Sequence, residues 1–389
     1  MSRRAPFVLL ACVILLTVLG FIMQLSTAGF SAETRHDTWS ALRRQGIWCA
    51  LGLVGGTTLM LLDYRRWKTH ARTILAVSVV LLALCFIPGI GKNINGATRW
   101  IGLGPLVFQP SEPARLGVLI ALAAWCATFS HRRTEFLHGF LFPLLILALP
   151  VGLIALEVDL GAAALLFTTG TAILFLAGTR LIYVASMALL GAALLFSAVK
   201  LIPNRAARFT AFTLLWQDSV PKDVPSEILS LNHQQEQGLI ALGAGGPRGM
   251  GLGDGRQKRF YLPYCHTDFI FPVVGEELGL PGTLGTAALF TALALAGLSV
   301  AARAPDRFGA LLGSGIVLLI TIQAIINIGV TTACMPNKGM PLPCLSYGGS
   351  NLCSCLCAVG LLLGIFRQSR PEAAEPEPAW GRPKLTVAI

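Results

Sequence analysis

Charged residues are scarce in this chain of 389 residues. They make up 13% of the sequence, whereas hydrophobic residues make up 54%. A typical soluble domain carries roughly 25% charged residues, so this balance does not suit a water-soluble fold. A bilayer accommodates it, because a helix of about 20 apolar residues crosses the hydrocarbon with every backbone polar group satisfied internally. The scarcity of charge therefore indicates a membrane protein.

Several functional sequence patterns are also missing. The ten cysteines include no zinc spacing and no CxxC pair, and most of them fall in apolar segments, where a thiol behaves as a small hydrophobe. Cys353, Cys355 and Cys357 do not all share one helical face, so packing explains them better than a metal does. The chain has no Walker signature, which disfavours ATP, and no obvious internal repeat, which disfavours an inverted-repeat transporter.

Long apolar segments, by contrast, recur along nearly the whole chain. Those long enough to cross a bilayer are residues 6–28, 46–63, 73–90, 112–129, 139–156, 160–178, 182–201, 272–301, 308–332 and 350–366. The chain is therefore predicted to be an all-α polytopic membrane protein with about ten transmembrane helices. The first segment follows two arginines, as in a signal peptide, but its length indicates a retained helix.

The connectors on one side of these segments are basic. If the N-terminus is cytoplasmic, the inside connectors hold Arg65, Arg66, Lys68 and Arg72, then Arg132 and Arg133, then Arg180, then Arg303 and Arg307, then Arg367 and Arg370. The positive-inside rule then accounts for the net charge of +11 without nucleic acid, and it predicts that both termini are cytoplasmic.

Two further segments complete the predicted organisation. Residues 202–270 form a large extracytoplasmic loop between helices seven and eight, and loops of this length are usually functional or disordered. The membrane domain is predicted to cover residues 1–370. Residues 371–389 are rich in proline, glutamate and alanine, and are predicted to be a disordered cytoplasmic tail.

Polar residues cluster in four stretches at the ends of the apolar segments, where ionisable groups are costly and are therefore functional candidates. In the first stretch, NGATRWIGLGPLVFQPSEPAR over residues 95–115, Glu112 and Arg115 are spaced i and i+3, which suits a structural ion pair and a functional role equally. In the second, Glu157 and Asp159 stand at the mouth of a span, where a structural carboxylate is slightly favoured.

The third and fourth stretches lie nearer the C-terminus. Residues 238–279 contain a glycine-rich run with Arg256, Lys258 and Arg259, which suits a phosphate-bearing ligand. Asp268 follows at an apolar boundary, where partial desolvation raises its basicity, so it can serve as a general base. Residues 334–350, CMPNKGMPLPCLSYGGS, form either a solvated connector or irregular backbone that lines a wet cavity, in which Lys338 could contact an anion.

Taken together, these stretches resemble the SEDS family of bacterial cell-wall proteins, which includes FtsW, RodA and SpoVE. The motifs NGAxRWI, QPSE, DLG, GxGLG, LPxxHTDFIF, GEELG and LPxxSYGGS occur in the family's order between about residues 90 and 366. GEELG and PNKGMPLP are more similar to the division branch, FtsW, than to the elongation branch, RodA. The resemblance implies a ten-helix fold with a large outer loop between helices seven and eight, as the segment count also predicts.

The same resemblance implies a peptidoglycan glycosyltransferase that polymerises lipid II into β-1,4 glycan strands for the septal wall. Asp268 matches the carboxylate placed to deprotonate the acceptor 4-hydroxyl, and a class B penicillin-binding protein and other divisome membrane proteins are the implied partners. The pyrophosphate leaving group needs fixed positive charge or a divalent cation, Mg²⁺ or Mn²⁺. The candidate substrate-binding residues are Arg99, Trp100, Glu112, Arg115, Arg205, Arg208, Lys338 and Ser346; no metal ligands are assigned.

Two departures from the family pattern affect these candidates. Arg115 stands where a lysine is usual, which keeps the charge but replaces a point charge by a planar fork. Tyr264 replaces the usual glutamate, which removes one possible metal or base partner near Asp268. The alternatives to a septal polymerase are a lipid II flippase, an elongation polymerase of the RodA type and a scaffold that only recruits divisome proteins.

Overall fold

Helices make up most of the structure. The computed structural model describes residues 4–27, 38–94, 97–103, 106–217 and 225–369. Its helices are α1 (Ala5–Thr27), α2 (Thr38–Leu61), α3 (Arg65–Thr69), α4 (Ala71–Leu84), α5 (Ser111–Thr128), α6 (Phe142–Leu156), α7 (Leu160–Leu176), α8 (Leu181–Leu201), α9 (Pro203–Leu214), α10 (Ser226–Gly245), α11 (Ile270–Ala301), α12 (Arg307–Thr331) and α13 (Gly349–Gln368). A short 3₁₀ turn, Ser130–Arg132, and a π turn, Leu137–Leu141, lie between α5 and α6.

Each of the ten predicted apolar segments coincides with one helix, namely α1, α2, α4 to α8 and α11 to α13. Within the described residues, six helices are by length and composition apolar enough to cross a membrane: α1, α6 with its π turn, α8, α11, α12 and α13. Two others, α4 and α7, are shorter apolar helices. The predicted all-α membrane fold is therefore confirmed, whereas the predicted cytoplasmic tail, residues 371–389, lies outside the described residues.

One small sheet interrupts the helical pattern. The strands β1 (Gly91–Ile94), β2 (Ala97–Leu103) and β3 (Leu106–Phe108) pair antiparallel in the order β1-β2-β3, between α4 and α5. This sheet was not predicted from the sequence, because its strands are too short for a clear alternation of polar and apolar residues. The sheet holds Arg99 and Trp100 on β2 at the end of the bundle where the polar stretches meet.

The predicted outer loop, residues 202–270, is folded rather than a simple tether. It contains the amphipathic helix α9 and the helix α10, which pack against each other. Asn232 on α10 donates a hydrogen bond from Nδ2 to the Ala211 carbonyl at 2.5 Å. Gln235 Nε2 donates to the Val330 carbonyl at 2.8 Å and to the Met335 carbonyl at 2.9 Å, so α10 is tied to the end of α12.

The glycine-rich run also makes its polar contacts within the chain. Glu276 accepts hydrogen bonds from the backbone amides of Arg256, at 2.7 Å, and Gln257, at 3.0 Å. Glu277 accepts from the Gly253 amide at 3.0 Å and pairs with Lys258 Nζ at 2.6 Å, and both of these side chains are fully buried. These amides and the Lys258 charge therefore neutralise carboxylates of α11, not the phosphate-bearing ligand for which the sequence suggested them.

A kink in α11 makes this arrangement possible. Gly279 has φ +65°, a left-handed conformation that glycine adopts without steric cost. A Cβ at this position would lie 2.3 Å from the Gly249 amide nitrogen, so the run packs directly against the kink. The short segment before the kink, residues 270–278, thus anchors the outer loop, and the longer part of α11 enters the bundle.

Candidate active site

Asp268 lies two residues before the first residue of α11 and lines a cleft of about 350 Å³. The two residues that follow it, Phe269 and Ile270, are fully buried and anchor it to the bundle. The cleft is lined by Arg44, Trp48, Arg99, Trp100, Val107, Gln109, Glu112, Arg115, Asp159, Ala162, Tyr264, His266, Thr267, Asp268, Gly339, Met340, Pro341, Tyr347, Gly348, Gly349, Ser350 and Asn351. Residues from all four polar stretches therefore meet in one place.

Arg99 and Asp159 form an ion pair in this cleft. Arg99 Nη1 lies 3.3 Å from Asp159 Oδ2, and Gln109 Nε2 donates to the same oxygen at 3.4 Å. The other oxygen, Oδ1, accepts from the Ala162 amide at 3.1 Å and caps α7. The carboxylate of Asp159 is thus held in place from three sides, and it is a fixed negative charge close to Asp268.

A second buried network holds the wall formed by α5. Arg115 and Glu112 are in direct contact as an ion pair, with 2% and 7% of their side chains exposed. Asn351 Nδ2 donates to Glu112 at 3.0 Å, and Arg115 Nη1 donates to Gln323 Oε1 at 3.2 Å. The intrahelical ion pair that the spacing allowed is therefore present, and it connects α5 to α12 and α13.

The connector between α12 and α13 positions the segment that carries Asp268. Ser346 Oγ donates to the Thr267 carbonyl at 2.5 Å, and the Tyr347 amide donates to the His266 carbonyl at 2.9 Å. Asn327 Nδ2, on α12, donates to the Asp268 carbonyl at 2.8 Å and to the Met340 carbonyl at 2.6 Å. The hydroxyl of Ser346, a predicted substrate contact, is used here to hold backbone, and Ser346 does not line the cleft.

Gly339 lies directly against the candidate base. A Cβ at this position would be 2.6 Å from Asp268 Oδ2, so any other residue would crowd the carboxylate. The absence of a side chain at Gly339 keeps the approach to Asp268 open.

Three of the predicted cations, Arg205, Arg208 and Lys338, lie outside the cleft lining. Arg205 Nη2, on α9, donates to the Val158 carbonyl at 3.0 Å. The Lys338 side chain packs against Gly161, at the first turn of α7. Arg208, one turn after Arg205, is exposed. Arg205 and Lys338 both lie close enough to interact with the carboxylate of Asp159, and Arg208 lies near both of these cations, whereas Arg99 and Arg115 border the cleft itself.

Burial sets the protonation behaviour of the site. It raises the pKa of Asp268 to about 6; the Arg99 charge opposes this rise and the Asp159 charge adds to it. Burial also lowers the pKa of Lys338 to about 7, against the attraction of Asp159 and with the repulsion of the neighbouring arginines. Glu157 is fully buried, and burial raises its pKa to about 8, so it is mostly neutral at pH 7. At neutral pH the site therefore contains ionised Asp268 and a Lys338 that changes charge readily.

Part of this cleft was predictable from the sequence, and part of it was not. Asp268, Arg99, Trp100, Glu112 and Arg115 all border it, as their motifs suggested. The missing members include Arg44 and Trp48 on α2, which belong to none of the four polar stretches. The available signal was an arginine followed one turn later by a tryptophan near the start of the second apolar segment.

The described residues do not form a metal site by themselves. In the described ranges, no group of three or more His, Cys, Asp and Glu side chains is arranged to hold a metal ion. Both oxygens of Asp159 are already bonded to protein donors. Since Mg²⁺ usually completes its shell with water and substrate phosphates, a divalent ion fits this cleft only together with a phosphate-bearing ligand.

The architecture is that of membrane-embedded proteins of cell-wall synthesis. A chain of a solved peptidoglycan synthase complex, described as coordinating polymerization and crosslinking, superposes with a TM-score of 0.75 at 28% identity, covering 93% of this chain and 97% of that one. The rod shape determining protein RodA of Thermus thermophilus superposes with a TM-score of 0.66 at 27% identity, covering 94% and 97%.

Sequence comparison gives the family. The model of the FtsW/RodA/SpoVE family, described as cell cycle proteins, matches residues 6–371, and this chain belongs to that family. The probable peptidoglycan glycosyltransferase FtsW of Geobacter metallireducens is 39% identical over 364 residues, covering 93% of this chain and 95% of that protein. The stage V sporulation protein E of Bacillus subtilis is 36% identical, covering 95% and 99%.

Proposed function

We propose that this protein is an inverting peptidoglycan glycosyltransferase that polymerises lipid II into β-1,4 glycan strands for the septal wall. The observation that carries the proposal is Asp268, a carboxylate with a raised pKa beside a cleft bordered by arginines. The similarity to proteins named as peptidoglycan glycosyltransferases of the FtsW type supports the septal role.

In the proposed reaction Asp268 acts as the general base. It takes the proton from the 4-hydroxyl of the acceptor, and the oxygen attacks the anomeric carbon of the donor. The bond from that carbon to the pyrophosphate oxygen breaks from the opposite face, so the α-linked donor gives a β-1,4 bond. Undecaprenyl pyrophosphate leaves with the bonding electrons, and the proton remains on Asp268 until solvent removes it.

The arginines stabilise the charge that develops on the leaving group. Arg44 and Arg99 line the cleft, Arg205 and Lys338 add positive charge near Asp159, and Arg208 lies near both Arg205 and Lys338. Fixed donors aimed at a developing charge are among the largest contributions to catalysis. The charge of Arg115 is largely neutralised by Glu112, so the pair serves mainly to shape the wall of the site. A divalent cation, Mg²⁺ or Mn²⁺, would reach the site bound to the pyrophosphate and would add to this stabilisation.

The proposed orientation places the cleft at the outer face of the cytoplasmic membrane and both termini in the cytoplasm. The basic connectors that contain Arg65, Arg132 and Arg303 lie at the opposite ends of the helices from the connectors that form the cleft. The positive-inside rule favours the cytoplasm for such connectors. The sugars and pyrophosphate of lipid II would then meet Asp268 at the outer leaflet.

The proposed partner is a class B penicillin-binding protein that crosslinks the new strands, together with other divisome membrane proteins. The superposable synthase complex combines polymerization with crosslinking, which supports such a pairing. The experiment is in vitro polymerisation of lipid II by the purified chain, with and without its cognate transpeptidase. Glycan strands are the expected product. Movement of labelled lipid II across proteoliposomes without strand formation would instead support a flippase.

Polymerisation is expected to depend on pH in both directions. The rate should rise as Asp268 loses its proton, around pH 6, and fall as Lys338 loses its own, around pH 7. The acid limb arises because a protonated carboxyl cannot act as a base, and the alkaline limb because a neutral amine no longer attracts pyrophosphate. The measurement is the initial rate over about pH 5 to 9 at constant ionic strength.

The matched control for this profile is Lys338→Arg. Arginine stays protonated throughout this range, so the variant should lose the alkaline limb and keep the acid limb near pH 6. An alkaline limb that is unchanged in Lys338→Arg would contradict the assignment of Lys338.

Asn327 is expected to act as a positioning residue for the base. Asn327→Ala removes the donor from the carbonyls of both Asp268 and Met340, and an unsatisfied buried carbonyl costs about 1–3 kcal/mol. We expect kcat to fall by about 10-fold or more, since a small misplacement of a catalytic group is costly, while KM changes less. Asn327→Leu keeps a similar volume and has no donor, so it should show the same fall in kcat with a smaller change in KM. A purely structural role would instead reduce folded yield at unchanged kcat.

A further inference from the structure

Two cysteines meet beside the active-site connector. Cys344, in the connector between α12 and α13, and Cys355, on α13, place their Sγ atoms 3.2 Å apart. Both side chains are buried, with 3% and 7% of their surface exposed. A disulfide has an S–S distance of about 2.05 Å, so closing the gap needs a movement of about 1.2 Å.

The backbone of the connector is in an unusual conformation at Cys344. Cys344 has φ +63°, in the left-handed region that residues with a Cβ adopt only when their surroundings hold them there. Two residues later, the Ser346 hydroxyl donates a hydrogen bond to the Thr267 carbonyl. The next residue, Tyr347, donates from its backbone amide to the His266 carbonyl. Any bond that fixes Cys344 to α13 would therefore also fix the segment that carries Asp268.

From this contact we infer that Cys344 and Cys355 form an intramolecular disulfide that fastens the active-site connector to α13. The inference rests on the proposed function in one respect, since it needs the cleft to face the extracytoplasmic side, where disulfides persist. The bond would close a short loop, because only eleven positions separate the two residues.

The chemistry is a thiol–disulfide exchange with an extracytoplasmic protein disulfide as the oxidant. One cysteine loses its proton, and its thiolate attacks the oxidant's disulfide and releases one oxidant thiolate. The second cysteine then loses its proton and displaces the oxidant from the mixed disulfide. In total, two thiols become one disulfide, and two electrons and two protons pass to the oxidant, which becomes a dithiol. Exchange needs access, so it would occur while the connector is still unpacked during membrane insertion.

The neighbouring cysteines supply a matched control and a report on orientation. Cys353 and Cys357 lie one turn apart on the same helix α13, and they pack against Gly52 and Gly55 of α2 instead of facing the connector. Cys334 is exposed at the start of the same connector. It can therefore report which side of the membrane the connector faces.

The test counts thiols in the full-length protein. Cells are quenched in acid, and the protein is denatured and alkylated with a maleimide carrying a mass tag, before and after reduction. The wild type should show two fewer reactive thiols before reduction than the ten of its sequence, and peptide mapping should join residues 344 and 355. Cys344→Ser and Cys355→Ser should each abolish the difference between the two states, whereas Cys353→Ser should retain it.

The result that overturns the inference is a wild type in which all ten cysteines react before reduction. Labelling of Cys334 by a membrane-impermeant maleimide in spheroplasts separates the two possible failures. If Cys334 is labelled and all thiols are free, the disulfide alone is wrong. If Cys334 is not labelled, the outward orientation in the proposed function is wrong, and the disulfide is overturned with it.

Discussion

Asp268→Ala is expected to reduce polymerisation of lipid II by about 10²- to 10⁴-fold, the usual contribution of a general base. The carboxylate stands beside the cleft with its pKa raised to about 6 by burial, so at neutral pH it is ionised yet more basic than an exposed aspartate. Asp268→Asn should have a similar effect, because the amide keeps the shape and cannot accept the proton. The measurement is glycan strand length and amount from lipid II with the transpeptidase present.

The control for this experiment is Asp254→Ala. Asp254 is an exposed carboxylate in the same outer segment, and its loss should leave polymerisation close to that of the wild type. Equal thermal unfolding midpoints for the two variants would exclude misfolding as the cause. Wild-type strand synthesis by Asp268→Ala would remove Asp268 from the role of base, and normal growth on that variant alone would favour a scaffold.

Glu112→Ala is expected to cause the largest loss of stability. The variant leaves the Arg115 guanidinium buried, with 2% of its side chain exposed, hydrogen-bonded to Gln323 and without the carboxylate that neutralises its charge. Breaking a buried ion pair by removing one member costs about 3–5 kcal/mol, because the remaining charge is uncompensated. The measurement is thermal unfolding in detergent, where a marked fall in the midpoint should appear.

A double variant tests the physical reason for that loss. Glu112→Leu combined with Arg115→Met removes both charges and keeps apolar volume, and such replacements are often neutral for stability. The double variant should therefore unfold at a higher temperature than Glu112→Ala. If Glu112→Ala is as stable as the wild type, the ion pair between Glu112 and Arg115 does not contribute to the stability of the fold.

These effects depend on contacts that differ in how far they could be predicted. The pair Glu112 and Arg115 was visible in the sequence, because residues at i and i+3 share a helical face. The partners of that pair were not visible: Gln323 is 208 positions from Arg115, and Asn351 is 239 positions from Glu112. The partner of Ser346 was not visible in the sequence either. Its hydroxyl was predicted to contact the substrate, but in the structure it donates to the Thr267 carbonyl.

The glycine-rich run shows why a local pattern can mislead. Its amides and the Lys258 charge suit an anion, and an anion is indeed present. That anion belongs to the chain itself, since Glu276 and Glu277 occupy the amides. Nothing in the GEELG motif itself indicates that its glutamates accept hydrogen bonds from the run that precedes it.

The sequence by itself determined the membrane class, the ten apolar segments that became helices, and Asp268 at the boundary of one of them. These are local properties, because the length of an apolar run decides whether a helix can cross a bilayer. Only the tertiary structure decided that Asp268 shares a cleft with Arg44, Arg99 and Asp159, and that the long outer loop folds into α9 and α10. Those features depend on how helices distant in the chain pack together, and a buried polar group finds its partner only in that packing.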